Sequence, residues 1–323
     1  METILLVKPF RENDIDRMGQ IEGCEILYTP EPTEEQLKKA TGMIGQPTAK
    51  LIAKAPNLRW IQSTSAGVDN FLAIPEIFER NIKLTNLSGA FGQSISEFAL
   101  TMVMMLYKHL HLFRDHQKEH FWTDEGWQDS PRGKNVLILG AGNIGTETAK
   151  LFRVFDCHIT GMRRSVREIP AEFDEMITME GLDEALKKAD IVISALPETP
   201  ETHKLFTKER FMLMKKEALL INVGRGALID CEALAEVLNE GVIAGAAVDV
   251  TDPEPLPVDH PLWDAKNAIV TPHITGGSFG HLKATEDRLF EICSSNAKRF
   301  AAGEELLNLV DPKSGYRVTE NRF

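Results

Sequence analysis

The chain has 323 residues, room for two domains at about 150 residues each. Its 36 Lys and Arg against 48 Asp and Glu leave a net charge of −12, which argues against general nucleic-acid binding, where a basic surface neutralises phosphates. With 43% hydrophobic and 26% charged residues it has a globular rather than a disordered composition. The longest apolar stretch, Phe98–Tyr107, is ten residues, half of what a membrane-spanning helix needs. The apolar run Ile4–Val7 is too short for a signal-peptide core, so a cytoplasmic location is expected. Cys24, Cys157, Cys231 and Cys293 are scattered without a CxxC spacing, which predicts reduced structural thiols.

Apolar runs alternate with helical patterns, the mark of an α/β protein with parallel sheets. Ile4–Val7 predicts a first strand, Glu34–Ala40 a helix, and Leu58–Gln62 a strand followed by the loop Ser63–Asp69. Phe98–Leu112 predicts one long buried helix, and Phe113–Gly133, with Trp122, Trp127 and Pro131, a polar arm or linker. Val136–Leu139 is a short continuous apolar run, as in a strand buried on both faces. The helix Ile144–Phe155 follows, then strands His158–Met162, Ile191–Ala195, Leu219–Val223, Ala244–Val250 and Ala268–Thr271, with helices between them such as Asp230–Asn239. A last helix is expected from about Gly280 to Ala302, closed by Gly303, with a polar tail from Asp311.

Gly140, Gly142 and Gly145 form G-A-G-N-I-G between a predicted strand and a predicted helix, the context in which this pattern marks a dinucleotide site. The first glycine permits the tight turn, the second lets backbone approach a pyrophosphate, and the third allows close helix–strand packing. The phosphates would sit on the helix N-terminus. An NAD site usually carries an acid about 20 residues on, for the ribose hydroxyls. Here the next strand ends in Met162-Arg163-Arg164-Ser165, with no acid. Two guanidiniums and a hydroxyl would attract a 2′-phosphate, so NADP is expected over NAD.

Three residues stand in Gly- or Pro-marked loops right after apolar strands, where open α/β sheets gather ligands. Arg225 lies in I-N-V-G-R-G, Glu254 in D-V-T-D-P-E-P, and His273 in T-P-H-I-T-G-G. Reduction of a 2-oxo acid needs a cation for the carboxylate and a proton donor for the carbonyl oxygen. Arg225 can supply the first and a protonated His273 the second. A carboxylate at Glu254 beside His273 would favour the imidazolium, so reduction should weaken and oxidation improve as pH rises.

With these motifs the sequence resembles the D-isomer-specific 2-hydroxyacid dehydrogenases over nearly its whole length. The resemblance implies two doubly wound parallel-sheet α/β domains, a Rossmann cofactor domain inserted into a flavodoxin-like substrate domain. The expected bounds are 1–97 plus 294–323 for the substrate domain and 98–293 for the cofactor domain. It implies Arg225 as the residue of the substrate carboxylate, His273 as acid/base and Glu254 as its partner. Toward the cofactor it implies Asn143 and Ile144 on the phosphate turn, Leu196, Pro197 and Thr202 along the loop L-P-E-T-P-E-T, Val223, Gly224 and Gly276, and Asp249 at the nicotinamide carboxamide. Ser65, Ala66 and Gly67 match a loop whose N–H groups hold the substrate carboxylate. Ser88, Gly89 and Ile95-Ser96-Glu97 match the hinge, and Asp311–Tyr316 the ending of some members. Members are usually dimers, joined through the helix and arm near 98–131. The missing acid at Met162–Arg163 departs from the pattern and points to the NADPH-preferring, glyoxylate/hydroxypyruvate reductase-like branch.

The expected activity is reduction of small 2-oxo acids to D-2-hydroxy acids. A phosphoglycerate dehydrogenase-like enzyme and a dinucleotide-sensing protein of corepressor type are the alternatives. The first would want an extra basic cluster for a substrate phosphate, the second a long interaction segment and no turnover. His109, His111, His116 and His120 crowd one segment without the acid of an HExxH site, so no metal is expected. Met102, Met104 and Met105 predict packing, and Asp69-Asn70 a turn.

Overall fold

The computed structural model describes residues 1–8, 10–165, 168–277, 282–311 and 318. The chain forms two compact units, one discontinuous (Met1–Phe91 with Gly277–Phe323) and one inserted (Gly92–Gly276). The expected bounds lay further on, by six residues at 97/98 and by 17 at 293/294. The units part at 91/92 because the helix beginning at Gly92 packs along its whole length within the inserted unit. The helix Lys283–Ala302 lies entirely in the discontinuous one.

The discontinuous unit holds β1 (Glu2–Leu6), α1 (Glu12–Met18), β2 (Cys24–Tyr28), α2 (Glu34–Lys39), β3 (Gly42–Gly45), α3 (Ala49–Ala53), β4 (Trp60–Ser63), α4 (Asp69–Leu72), α5 (Pro75–Glu79) and β5 (Lys83–Thr85). All pairings are parallel in the order β2-β1-β3-β4-β5, the flavodoxin-like arrangement. The short middle strands are buried on both faces, as strands of a covered parallel sheet are. α2 begins at a capping box, with the Gln36 side chain accepting from the Thr33 N–H at 2.8 Å and the Thr33 hydroxyl accepting from the Gln36 N–H. Leu5, Met43, Ile61, Phe71 and Ile77 fill one core with almost no exposure. The helix Lys283–Ala302 stops at Gly303 in the left-handed region. Leu309 then bridges to Thr85, so the late segment completes this unit. The expected start at Gly280 and the motif Pro312–Tyr316 lie outside the described residues.

The inserted unit holds α6 (Gly92–Tyr107), α7 (Leu110–Lys118), β6 (Asn135–Leu139), α8 (Asn143–Arg153), β7 (His158–Met162), β8 (Glu175–Ile177), α9 (Leu182–Lys188), β9 (Ile191–Ser194), α10 (Lys208–Phe211), β10 (Leu219–Asn222), α11 (Cys231–Asn239), β11 (Gly245–Val248) and β12 (Ala268–Val270). Its parallel sheet runs β12-β11-β10-β9-β6-β7-β8, so the order reverses between β6 and β9, as in a Rossmann fold. Phe206, Phe211, Leu220 and Leu234 are fully buried on one side of this sheet. Asp230 caps α11 by accepting from the Ala233 N–H at 3.1 Å.

The single helix expected over Phe98–Leu112 is two. The chain breaks at His109, whose φ of 54° cannot continue a right-handed helix. The polar arm expected from Phe113 starts later, because residues 113–118 continue α7. His116 and His120 do not share a helix face. α7 ends before His120, and His116 bonds Glu125 instead. Among the described residues no cluster could hold a metal ion, and no helix is long and apolar enough to cross a membrane. All four cysteines are unpaired thiols, as expected.

Candidate active site

In the inserted unit, the loops after β6 and β9 flank the reversal point of the sheet, where open α/β folds bind ligands. Gly140 turns with a φ of 96°. A Cβ on Gly145 would lie 2.3 Å from the Gly140 carbonyl oxygen, so α8 leans on the turn through a bare Cα. A Cβ on Gly142 would meet nothing within 4 Å, which leaves that backbone approachable. Asn143 and Ile144 open α8, so their N–H groups precede the first intrahelical bonds. The Asn143 Oδ1 is buried without a hydrogen-bond partner. This cradle of bare backbone and helix N–H groups fits a dinucleotide pyrophosphate.

Arg163 Nε donates to the Ala141 carbonyl oxygen at 2.7 Å, which lays its guanidinium against the glycine loop. Arg164 and Ser165 are exposed beyond it. Arg164 also acts on Glu201, whose carboxyl is held low mainly by the Thr199 hydroxyl and further by the Arg164 charge. The Leu196–Thr202 loop is closed on itself. The Thr202 hydroxyl donates to the Pro197 oxygen at 2.8 Å and accepts from the Thr199 N–H at 2.8 Å.

The turn after β10 is set by Asn222, which is fully buried. Its Oδ1 accepts from the Gly224 N–H at 3.1 Å and its Nδ2 donates to the Arg225 oxygen at 3.0 Å. Arg225 is half-buried and Nη1 donates to the Gly224 oxygen at 2.9 Å. A Cβ on Gly226 would fall 1.9 Å from the Thr251 oxygen, so only glycine lets this turn touch the loop that carries Glu254. Thr251 ties that loop by donating to the Pro253 oxygen at 2.9 Å.

Glu254 Oε1 and His273 Nδ1 are 2.7 Å apart, with both side chains about half exposed. His273 sits at a φ of 52°, a conformation an L-residue holds only when its surroundings impose it. Asp249, 2% exposed, imposes it. Its carbonyl accepts from the His273 N–H at 2.8 Å. Its Oδ1 accepts from the Thr271 hydroxyl at 2.6 Å and the Ile274 N–H at 3.0 Å, and its Oδ2 from the Thr275 N–H at 3.1 Å. With Nδ1 engaged by Glu254, Nε2 is the ring nitrogen able to exchange a proton with a substrate oxygen.

In the discontinuous unit, Ser65, Ala66 and Gly67 follow β4 and are half-buried. The Ser65 N–H is spent inside the loop on Ser63 Oγ at 3.2 Å, and its hydroxyl donates to the Gly67 oxygen at 2.5 Å. The N–H groups of Ala66 and Gly67 have no protein partner among the described residues. Gln46 braces the loop, donating to Ser63 Oγ and Ser65 Oγ at 3.1 Å each.

Residues 100–275 match the family model of the D-isomer specific 2-hydroxyacid dehydrogenase, NAD binding domain. The chain belongs to this family. This D-isomer-specific 2-hydroxyacid dehydrogenase is 34% identical over 262 residues to a glyoxylate reductase of Thermofilum pendens, covering 79% of this chain and 76% of that one. It superposes on a family protein of Aeromonas salmonicida with a TM-score of 0.83 at 34% identity, over 96% and 99% of the two chains. An NADPH-dependent glyoxylate/hydroxypyruvate reductase of Sinorhizobium meliloti gives a TM-score of 0.82 at 25% identity, over 98% and 100%. The dehydrogenase is thus an NAD(P)-dependent enzyme acting on CH–OH groups, with a nicotinamide dinucleotide as its cofactor.

The family resemblance places this dehydrogenase's Asp249 at the nicotinamide, and its hold on the His273 loop emerges only in the folded chain. Asn222 and Thr271 stand in motifs without an assigned role, and Gln46 in none. A buried acid at a strand end followed by threonines was the available signal for the Asp249 clamp. For Gln46 no local signal exists, since its partners lie 17 and 19 residues away.

Proposed function

We propose that this dehydrogenase reduces small 2-oxo acids to D-2-hydroxy acids, with NADPH in preference to NADH. The observation that carries the reaction is the 2.7 Å contact between His273 Nδ1 and Glu254 Oε1. A carboxylate on Nδ1 fixes the ring and leaves Nε2 facing the substrate's side of the exchange, so Nε2 can deliver a proton to the carbonyl oxygen. The nicotinamide, when bound, supplies the hydride that C2 accepts. Arg225 binds the substrate carboxylate as a cation, and Ser65, Ala66 and Gly67 are the proposed backbone contacts for it. In the direction of oxidation the imidazole takes the proton back, and since the overall oxidation releases a proton, rising pH favours it.

Gly140, Gly142, Asn143, Ile144 and Gly145 are proposed to hold the pyrophosphate. Leu196, Pro197, Thr202, Val223, Gly224, Asp249 and Gly276 would flank the rest of the cofactor. Arg163, Arg164 and Ser165 favour NADPH by meeting its 2′-phosphate, because the strand end carries no acid to repel it. The exposed Trp122 and Trp127 on the arm support a homodimer through 98–131.

A panel of glyoxylate, hydroxypyruvate, pyruvate, bulkier 2-oxo acids and, in the reverse direction, 3-phosphoglycerate, each with both cofactors, tests this reading. Turnover of a 2-oxo acid with higher kcat/KM for NADPH is expected, and Arg163→Asp should narrow or reverse the cofactor ratio. Binding of NADPH without any turnover would refute the enzyme reading, and an unchanged ratio in Arg163→Asp the cofactor assignment.

A further inference from the structure

We infer that Asn86 is a positioning residue that aims a two-donor anion hole at the substrate carboxylate. The inference rests on the proposed role of the Ser65–Gly67 loop. The Ser65 oxygen accepts from the Leu87 N–H at 3.0 Å. The Ala66 oxygen accepts from Asn86 Nδ2 at 2.8 Å. Neither peptide is cis, and in a trans peptide the N–H points opposite to the C=O. Pinning both oxygens on segment 86–87 therefore turns the Ala66 and Gly67 N–H groups away from it, to a common side. Successive N–H groups turned to one side form a concavity that suits an anion. The two oxygens of a carboxylate match the two donors.

Asn86 is itself fixed on every side. It is 3% exposed. Its Oδ1 accepts from the Ser88 N–H at 3.1 Å, so the amide cannot flip without losing two bonds. Its backbone N–H donates to the Asn308 oxygen at 3.2 Å. Asn308 Nδ2 donates to the oxygens of Asn86 and Ser88 at 3.3 and 2.9 Å. Aspartate, serine or alanine at position 86 could not do the same: the first offers the Ala66 oxygen an acceptor, and the others do not reach it while holding Ser88.

The test is steady-state kinetics of Asn86→Ala and Asn86→Asp with glyoxylate and NADPH, beside circular dichroism. In Asn86→Ala the Ala66–Gly67 peptide is free to rotate, and the KM for glyoxylate should rise about 10- to 100-fold, the scale of a hydrogen bond to a charged group. The KM for NADPH should stay within about twofold, since the substitution leaves the dinucleotide cradle untouched. Asn86→Asp keeps the bond from the Ser88 N–H and guards against a failure of Asn86→Ala to fold. Its KM defect relative to the parent should narrow as pH falls, because a protonated carboxyl regains a donor. Folded variants with a parental KM for glyoxylate and only a lower kcat would overturn the inference, because a purely structural role removes active molecules without weakening this one ligand. A parent enzyme that reduces no 2-oxo acid would overturn the proposed function and this inference together.

Discussion

Asp249→Asn isolates the hold on His273. The carboxylate accepts three hydrogen bonds from residues 271–275. If the asparagine oxygen keeps Thr271 and Ile274, its NH2 group meets the Thr275 N–H, donor against donor. One charge-assisted bond is lost, one buried N–H is left without an acceptor, and the other two bonds become neutral. Together these cost about 2–4 kcal/mol of local stability. Opening of the loop should then be about 30- to 1,000-fold more frequent. Amide hydrogen exchange of the peptide containing Ile274 and Thr275 reads that directly, and it avoids treating a two-unit protein as a single transition. Because His273 takes its backbone position from the same loop, kcat should fall about 100-fold, the penalty of a displacement near 1 Å. Exchange within threefold of the parent together with an unchanged kcat would refute the clamp. Faster exchange with an unchanged kcat would show that the loop is held by Asp249 but that His273 is not.

His273→Asn should lower kcat about 100-fold or more, yet stability should change by about 1 kcal/mol at most, because asparagine tolerates a φ of 52°; near-parental turnover would remove His273 from the reaction. Gly145→Ala places a Cβ 2.3 Å from a backbone oxygen, so α8 must shift, and calorimetry should show at least about tenfold weaker NADPH binding. Burial pushes the Asp190 carboxyl up, but bonds from Lys215 at 2.7 Å and the Asn135 N–H at 2.8 Å outweigh it and leave it below its usual value. Its stabilisation is present above the ordinary carboxylate range and is lost as pH falls through the lowered value. Asp190→Asn should therefore lower Tm at neutral pH and converge with the parent as pH falls below the ordinary carboxylate range; a constant difference would contradict this.

The inserted unit was legible because its signals are local. β7 was predicted with its observed ends, and the other predicted strands within two residues, since runs such as Ile191–Ser194 are buried on both faces and bounded by loops. The glycine loop and the order Arg225, Glu254, His273 could be read for the same reason. β2, β3, β5 and β8 were not predicted. Gly42–Gly45 carries two glycines in four residues, and Cys24–Tyr28 is only half-buried, so neither gives a clear apolar run. The break at His109 depends on one backbone angle that nothing in H-L-H-L announces. The roles of Asp249 and Asn86 depend on partners brought together by the sheet, at separations of 22 and 20 residues in their side-chain bonds to Thr271 and Ala66.

The discontinuous unit also sets a schedule for synthesis. Its Gln62 side chain accepts from Asn296 at 2.8 Å, and its β5 edge is met by Leu309. Neither partner exists when the first 91 residues leave the ribosome. The inserted unit, continuous from Gly92 to Gly276, has all its strands before Asn296 and Leu309 are made. The part of the protein made first is thus the last to be finished, and for most of translation its β5 edge stands open to wrong partners. A nonsense or frameshift change near residue 295 should spare the dinucleotide fold and leave an aggregation-prone N-terminal segment.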